Sequence, residues 1–351
     1  MITDNFSLSG NFLKGYEGKD PNWGFGEFSK FIYLRTYARL QENGTKETFF
    51  DTVKRVVEGT FTLQRDHCAR TGLPWDAFRA QMSAQKMFQK IWEFKFSPPG
   101  RGLWCMGTPI LDKIGSAALN NCGYISTKDI KKDFGEPFAW ACDMLMLGVG
   151  IGYDTKGANT VVVKAPKDQA VHYEIPDTRE GWVEAIRLLI DSYTGKNEVL
   201  FNFDLIRPAG SPIKGFGGTA SGPDPLKEGL RNIRELLDNN TGEPTTSVVI
   251  TDVMNYIGKF VVAGNVRRSA EISIGDIDDS DFIDMKDPVK FKEELLDRRW
   301  ASNNSVFATT DSDFSKVTDH ICRNGEPGLV FLENSRHYGR LRDGWNDETS
   351  E

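Results

Sequence analysis

The fold class is decided by PFAWACDMLMLGVGIGY, residues 137–153. Pro137 can start a helix because the first helical residue needs no backbone N–H donor, and Gly148 ends the apolar run that follows. Residues 150–153 then form a short apolar strand, and residues 123–126 form another before the helix. A strand, a helix and a second strand in this order predict a parallel sheet in an α/β protein.

The glycines of GVGIG, residues 148–152, also resemble a dinucleotide-binding loop. Such a loop needs a strand before the glycines and a helix after them. Here the helix comes first and the strand follows, so a dinucleotide oxidoreductase is the weakest functional alternative. The glycines are better interpreted as positions of close packing.

The pattern continues on both sides of this segment. Further strands are predicted at residues 271–274, 305–308 and 328–332. Asp177 with Glu180, and Asp252, are predicted to cap two of the helices between the strands. Residues 1–100 are rich in aromatics and read as helical, with one helix from Thr45 that Gly59 closes and another from about Trp75 to Phe94.

Composition excludes several classes of protein. The 351 residues are 39% hydrophobic and 26% charged with a net charge of −7, which argues against disorder and against general DNA or RNA binding. No apolar run is long enough for a membrane span, and the polar N-terminus has no signal-peptide pattern. The five cysteines contain no C-x-x-C pair, so a disulfide scaffold and a structural zinc site are not expected. A cytoplasmic location fits best.

Two loops could bind anions. IRPAGSPIKGFGGTASGP, residues 206–223, is rich in glycine and places Arg207 and Lys214 beside a tight turn. GNVRRSAEI, residues 264–272, places Arg267 or Arg268 at a loop tip, where a guanidinium can recognise phosphate or a base edge. An ordinary surface loop and a helix-capping arginine pair remain the alternatives.

Cys122 begins a strand and is either a redox thiol or a buried structural one.

Ten ordered segments together carry a family resemblance from about Asn22 to Gly344. They are PNWGFGEFSKFIYLRTYAR, RVVEGTF, RGLWCMGTP, LNNCGYI, GVGIGYD, IPDTREGW, IRPAGSPIKGFGG, VVAGNVRRSAEI, RRWASNNSVF and NGEPGLVFLENSR. The chain resembles the adenosylcobalamin-dependent (class II) ribonucleotide reductases, in particular the monomeric ribonucleoside-triphosphate reductases. The resemblance implies an N-terminal helical region, residues 1–100, and the first five-stranded half of a ten-stranded α/β barrel, residues 101–351. Residues 154–203 resemble the insertion that stands in for a dimer partner.

The resemblance also implies roles for single residues. Cys122 matches one of two cysteines that form a disulfide as they reduce the ribose. Contacts to the substrate nucleotide are implied for Thr108, Asn121 and Arg267. Contacts to a deoxynucleoside triphosphate or ATP effector are implied for Asp129, Arg207, Lys214, Gly215, Gly217, Gly218, Gly264, Asn265 and Arg267. Adenosylcobalamin and a thioredoxin-like reductant are the implied cofactor and partner.

One departure from the family changes the functional expectation. The motif Asn-Pro-Cys-x-Glu, which carries the radical cysteine, does not occur in these 351 residues, and neither does the second redox cysteine. We therefore expect the chain to act with a polypeptide that carries the C-terminal half-barrel and most of the cobalamin contacts. The alternative is a non-catalytic subunit that binds nucleotides.

Overall fold

The computed structural model describes residues 5–41, 43–211, 219–263 and 270–338. The chain divides into two compact units, residues 1–120 and 121–351. Residues 100–119 therefore belong to the first unit, as two short helices and a 3-10 turn. The functional division that we placed at residue 100 stays a prediction. No helix within the described ranges combines the length and the apolar character that a membrane span requires.

The first unit is helical, as predicted. Its helices are α1 (Gly10–Leu13), α2 (Glu27–Thr36), α3 (Phe49–Thr71), α4 (Ala77–Trp92), α5 (Gly100–Cys105) and α6 (Pro109–Ile114), followed by the 3-10 turn Gly115–Leu119. Thr48 and Asp51 start α3 as a reciprocal capping box, in which each side chain accepts the other residue's backbone N–H. The aromatics that the sequence concentrates here form the core, where Phe49 stacks on Phe94 with ring centroids 5.1 Å apart.

Gly59 does not close α3, contrary to the sequence prediction. The helix continues through it and ends at Gly72, whose φ of 71° is the left-handed conformation of a C-terminal cap. A Cβ on Gly59 would lie 2.5 Å from the Cα of Gly107. Gly59 is thus required because two backbone segments touch, and not because the helix ends there.

The second unit alternates strands and helices. Its strands are β1 (Cys122–Ile125), β2 (Gly150–Asp154), β3 (Lys167–Glu174), β4 (Asn197–Asn202), β5 (Glu271–Asp276), β6 (Ser302–Phe307) and β7 (Gly328–Val330). Its helices are α7 (Glu136–Met146), α8 (Arg179–Ser192), α9 (Asp224–Asn239), α10 (Ser247–Ala263), α11 (Ser280–Asp284), α12 (Lys292–Asp297), α13 (Ser315–Asn324) and α14 (Leu332–Tyr338), with a 3-10 turn at Arg299–Ala301.

Five of these strands form one parallel sheet in the order β1-β2-β5-β6-β7. All five were predicted, with ends that differ by at most three residues. Strands β3 and β4 form a separate parallel pair, which the sequence pattern did not indicate. This pair and α8 make up most of the predicted insertion, residues 154–203.

Helices α7, α10 and α11 pack on one face of the sheet. On that face the Cβ position of Gly123 meets Trp140 of α7, Ser273 hydrogen-bonds Thr251 of α10, and the Cβ position of Gly275 meets Phe282 of α11. Side chains alternate along a strand, so the residues between these point to the other face. There Cys122 and Tyr124 are exposed, and Phe307 is half-buried. This second face is called the open face below.

Two predicted helix caps are wrong. Thr178, and not Asp177, caps α8, because its hydroxyl accepts the N–H of Gly181. Asp252 lies inside α10, which begins at Ser247. Its carboxylate is buried and accepts hydrogen bonds from Arg298 Nη2 at 2.8 Å and Arg299 Nε at 2.8 Å. This ion-paired cluster fastens α10 to the segment before β6.

Candidate functional site

Cys122 is an exposed thiol at the first residue of β1, an edge strand. It lies opposite Gly150 of β2, and the carbonyl of the exposed Asn121 accepts the N–H of Gly150 at 2.8 Å. The main chain around Cys122 is therefore held by the sheet while its side chain stays accessible on the open face. The buried alternative for this cysteine is excluded, and accessibility is the first requirement for a redox thiol.

Tyr124 lies two residues further along β1, on the same face as Cys122. Its ring covers Gly152, where a Cβ would be 2.8 Å from Tyr124 Cδ2. Its hydroxyl donates to Asp154 Oδ2 at 3.1 Å. The ring is partly covered, and this partial burial, followed by the Asp154 carboxylate, raises the pKa of the Tyr124 phenol. The phenol thus stays protonated at neutral pH and keeps this hydrogen bond.

Asp154 ties β1 to β2 at their carboxyl ends. It is 1% exposed, and its Oδ1 accepts the backbone N–H of Thr127 at 2.8 Å and the Thr127 hydroxyl at 3.0 Å. Thr127 Oγ1 in turn accepts the N–H of Gly157 at 3.0 Å. Among the described strands, β1 pairs only with β2. The side-chain hydrogen bonds of Asp154 and Thr127 therefore add to the backbone hydrogen bonds between β1 and β2. They help to hold the strand that carries Cys122.

We expect Asp154→Ala to lower the free energy of unfolding by about 2–4 kcal/mol, since it leaves the buried Thr127 N–H without its acceptor. Urea denaturation measures this change. Asp129→Ala is the matched control, because Asp129 lies in the turn after β1 with an exposed side chain. It should shift the free energy by less than about 0.5 kcal/mol. Equal effects of the two substitutions would contradict the role given to Asp154.

Thr108 is the residue before α6 in the first unit. It is 5% exposed, and its hydroxyl donates to the Cys105 carbonyl at 2.7 Å. The hydroxyl proton is therefore engaged, whereas the oxygen lone pairs are free to accept a hydrogen bond from a ligand. The implied substrate contact of Thr108 stays a prediction.

Two of the implied effector residues are described, and both are in ion pairs. Asp129 pairs with Lys132 at 2.6 Å, and the hydrogen bond from Lys132 lowers the pKa of Asp129. Arg207 Nε donates to Asp177 Oδ2 at 2.6 Å. The stem of the loop after Arg207 is pinned by hydrogen bonds from Gly210 N–H to the Ala220 carbonyl and from Ala220 N–H to the Ser211 carbonyl.

The other implied residues lie outside the described residues. They are Lys214, Gly215, Gly217, Gly218, Gly264, Asn265 and Arg267. Their assignment to the effector and the substrate stays a prediction.

Two of the other four cysteines are buried. Cys142 is fully buried, and burial raises the pKa of its thiol to about 12. Cys105 is buried too, whereas Cys322 is exposed on α13, on the helical face of the sheet. In the described ranges no three His, Cys, Asp or Glu side chains are grouped as metal ligands would be.

Comparison with known proteins assigns the chain to a family. A family model described as ribonucleotide reductase alpha domain matches residues 8–108, and one described as B12-dependent ribonucleotide reductase, insertion domain, matches residues 153–237. A solved structure of a B12-dependent (class II) ribonucleotide reductase is 32% identical, with a TM-score of 0.82, over 97% of this chain and 54% of that one. The chain belongs to the class II ribonucleotide reductase family. The predicted fold class, a helical region followed by a five-stranded half-barrel, is thereby confirmed.

Curated class II reductases show the same relation. A probable adenosylcobalamin-dependent ribonucleoside-triphosphate reductase of Dictyostelium discoideum is 44% identical, and the adenosylcobalamin-dependent ribonucleoside-triphosphate reductase of Euglena gracilis is 43% identical. Each match covers 96% of this chain and 47% of the relative. The chain therefore spans about half the length of the class II reductases that it matches.

Sequence reasoning missed Tyr124 and Asp154. Both lie inside segments that carried the family resemblance, LNNCGYI and GVGIGYD, but neither was singled out. The sequence did contain a signal for Asp154, because this acidic residue directly follows the apolar strand predicted at residues 150–153. A carboxylate at that position needs hydrogen-bond donors if it is buried.

Proposed function

We propose that this chain supplies one half of a class II ribonucleotide reductase that acts on ribonucleoside triphosphates. The observation that carries the proposal is the exposed thiol of Cys122, held by the sheet at the edge of an open face, in a chain of this family. Two of its curated relatives are named as adenosylcobalamin-dependent ribonucleoside-triphosphate reductases.

Cys122 would serve as one member of a redox thiol pair. Replacement of the ribose 2′-hydroxyl by hydrogen releases water and consumes two electrons, which two thiols provide as they become a disulfide. The second thiol and the radical cysteine do not occur in these 351 residues. Polypeptide beyond these residues, continuous with them or separate, would supply both. A thioredoxin-like reductant would then reopen the disulfide by thiol exchange.

Adenosylcobalamin would provide the radical that starts the reaction. The described residues of this chain offer an exposed sheet face and no closed shell around a group as large as a corrin. We therefore assign no cobalamin ligand here and derive no step through the cofactor. Most of its contacts belong to the other half of the reductase in this proposal.

Nucleotide binding would use the two glycine-rich loops and their flanks. Asp129, Arg207, Lys214 and the loop from Gly215 would hold a deoxynucleoside triphosphate or ATP effector. The loop 264–270 with Arg267 would pass the identity of the effector to the substrate, which Thr108 and Asn121 would contact. The exposed position of Asp129 and the pinned stem of the first loop support this assignment.

The test is adenosylcobalamin-dependent reduction of a ribonucleoside triphosphate with a thioredoxin system. The 351-residue chain is assayed alone and with a polypeptide that carries the radical-cysteine motif and the second half-barrel. We expect turnover in the mixture only. Turnover by the chain alone would refute the division of the site between two halves.

The second candidate function is a non-catalytic nucleotide-binding subunit. The exposed turn with Asp129 and the hydrogen-bonded stem of the glycine-rich loop favour it, because both can serve nucleotide binding without a redox step. Saturable deoxynucleotide binding without turnover in either assay would support this candidate over the reductase. Turnover in the mixture would eliminate it.

A further inference from the structure

A cleft of about 830 Å³ opens at the carboxyl ends of the strands, opposite to the end where Cys122 lies. Its walls come from the loop after β2, the turn after β5, the segment after β6 and the start of α14. Four parallel strands thus end around one concavity. Ligand sites of parallel α/β proteins favour this position, because the loops that leave the strands converge there.

The cleft carries a marked excess of negative charge. Asp276, Asp278 and Glu333 line it, and none of them forms an ion pair with a described residue. A fourth acid in the wall, Asp279, accepts the N–H of Phe282 and caps α11. Like charges that share a concave wall repel one another, and a bound cation relieves that repulsion.

Lys156 is the one cation among the described residues of the lining, and it does not neutralise these acids. Lys156 Nζ lies over the ring of Phe307, 5.6 Å from its centroid. It makes no ion pair with a residue in the described part of the chain. Its ammonium is thus held on an aromatic face while the carboxylates remain available.

Thr155 gives an independent indication that the cleft receives a ligand. Its side chain is 6% exposed and lines the cleft. Its backbone N–H donates to the Ile274 carbonyl at 3.1 Å, but its hydroxyl has no hydrogen-bond partner among the residues that the structure describes. The hydroxyl oxygen is accessible from the cleft, so a ligand that enters can form a hydrogen bond with it.

We propose that this cleft binds an aliphatic oligoamine, with ammonium groups on Asp276, Asp278 and Glu333 and a hydrogen bond at the Thr155 hydroxyl. An amine donates to both carboxylates and hydroxyls. The volume suits a ligand of this size. None of its lining residues is among those proposed to bind a nucleotide, and its test needs no reductase activity.

Titration calorimetry with spermidine on the 351-residue chain tests the proposal. We expect saturable binding with one site. The double substitution Asp276→Asn with Asp278→Asn should weaken it about tenfold or more, since it removes two charge-assisted contacts. Asn retains the side-chain acceptor that Asp276 offers to the N–H of Asp278, so the turn is preserved.

The control removes the same charge elsewhere. Asp168→Asn with Glu174→Gln neutralises two exposed carboxylates on β3 and should leave the dissociation constant within about twofold. Thr155→Val should weaken binding severalfold, whereas Thr155→Ser should retain it. No saturable binding, or equal weakening by the cleft pair and the β3 pair, would overturn the proposal, because a protein of net charge −7 also attracts amines non-specifically.

Discussion

Cys122→Ser is expected to abolish thioredoxin-linked turnover in the mixture of this chain with the other half of the reductase. A serine hydroxyl cannot form the disulfide through which the reducing electrons leave, so each active site would stop after one cycle at most. The multiple-turnover rate should fall on the order of 10³-fold or more. The measurement is the initial rate of deoxynucleotide formation with excess substrate, thioredoxin and its reductase.

Cys322→Ser is the matched control, because Cys322 is also an exposed free cysteine but lies on α13, on the other face of the sheet. It should keep nearly full activity. Both variants should unfold at the same urea concentration as the parent chain, since neither thiol is buried. Unchanged multiple-turnover activity of Cys122→Ser would remove Cys122 from the proposed role.

Among the substitutions considered for stability, Asp252→Ala is expected to lower the free energy of unfolding most, by about 3–5 kcal/mol. The substitution leaves Arg299, 4% exposed, and Arg298 without the carboxylate that both of them share. An unpaired buried charge costs far more than the net gain from the pair. The free energy of unfolding from urea titration of the 351-residue chain gives the value.

Glu235→Ala removes a carboxylate of comparable size from a surface pair. Glu235 faces Arg231 at 3.8 Å, with both side chains about two-thirds exposed. The removal of this carboxylate should change the free energy of unfolding by about 0.5 kcal/mol or less. A loss for Asp252→Ala as small as this would mean that water reaches the arginines and that the cluster contributes little.

Local sequence patterns predicted the parallel sheet well. Its strands are short apolar runs, and the helices between them have clear start and end residues. Each of these two signals depends only on residues that are neighbours in the sequence. Gly59 and Asp252 were misread because their residue types have two common uses. A glycine can end a helix or permit a close contact, and an aspartate can cap a helix or pair inside it. Only tertiary contacts decide between these uses.

The candidate site was predictable in part. Cys122 at a strand start followed from the chain pattern and the resemblance, and its exposure agrees with the redox interpretation. The contact between Tyr124 and Asp154 depends on the register of β1 against β2, which pairs Tyr124 with Gly152. Register is a relation between distant segments, so periodicity within one segment could not reveal it.

The packing of α7, α10 and α11 on one face of the sheet also bears on how the protein is made. Helices α7, α10 and α11 come from the same stretch of chain as the strands they cover, so this layer can assemble as soon as that stretch is synthesised. Tyr124 and Phe307 lie on the other face, so these three helices do not cover them. The exposed part of this face offers a target to chaperones and a route to aggregation. The yield of soluble protein should then depend on how quickly a covering polypeptide arrives.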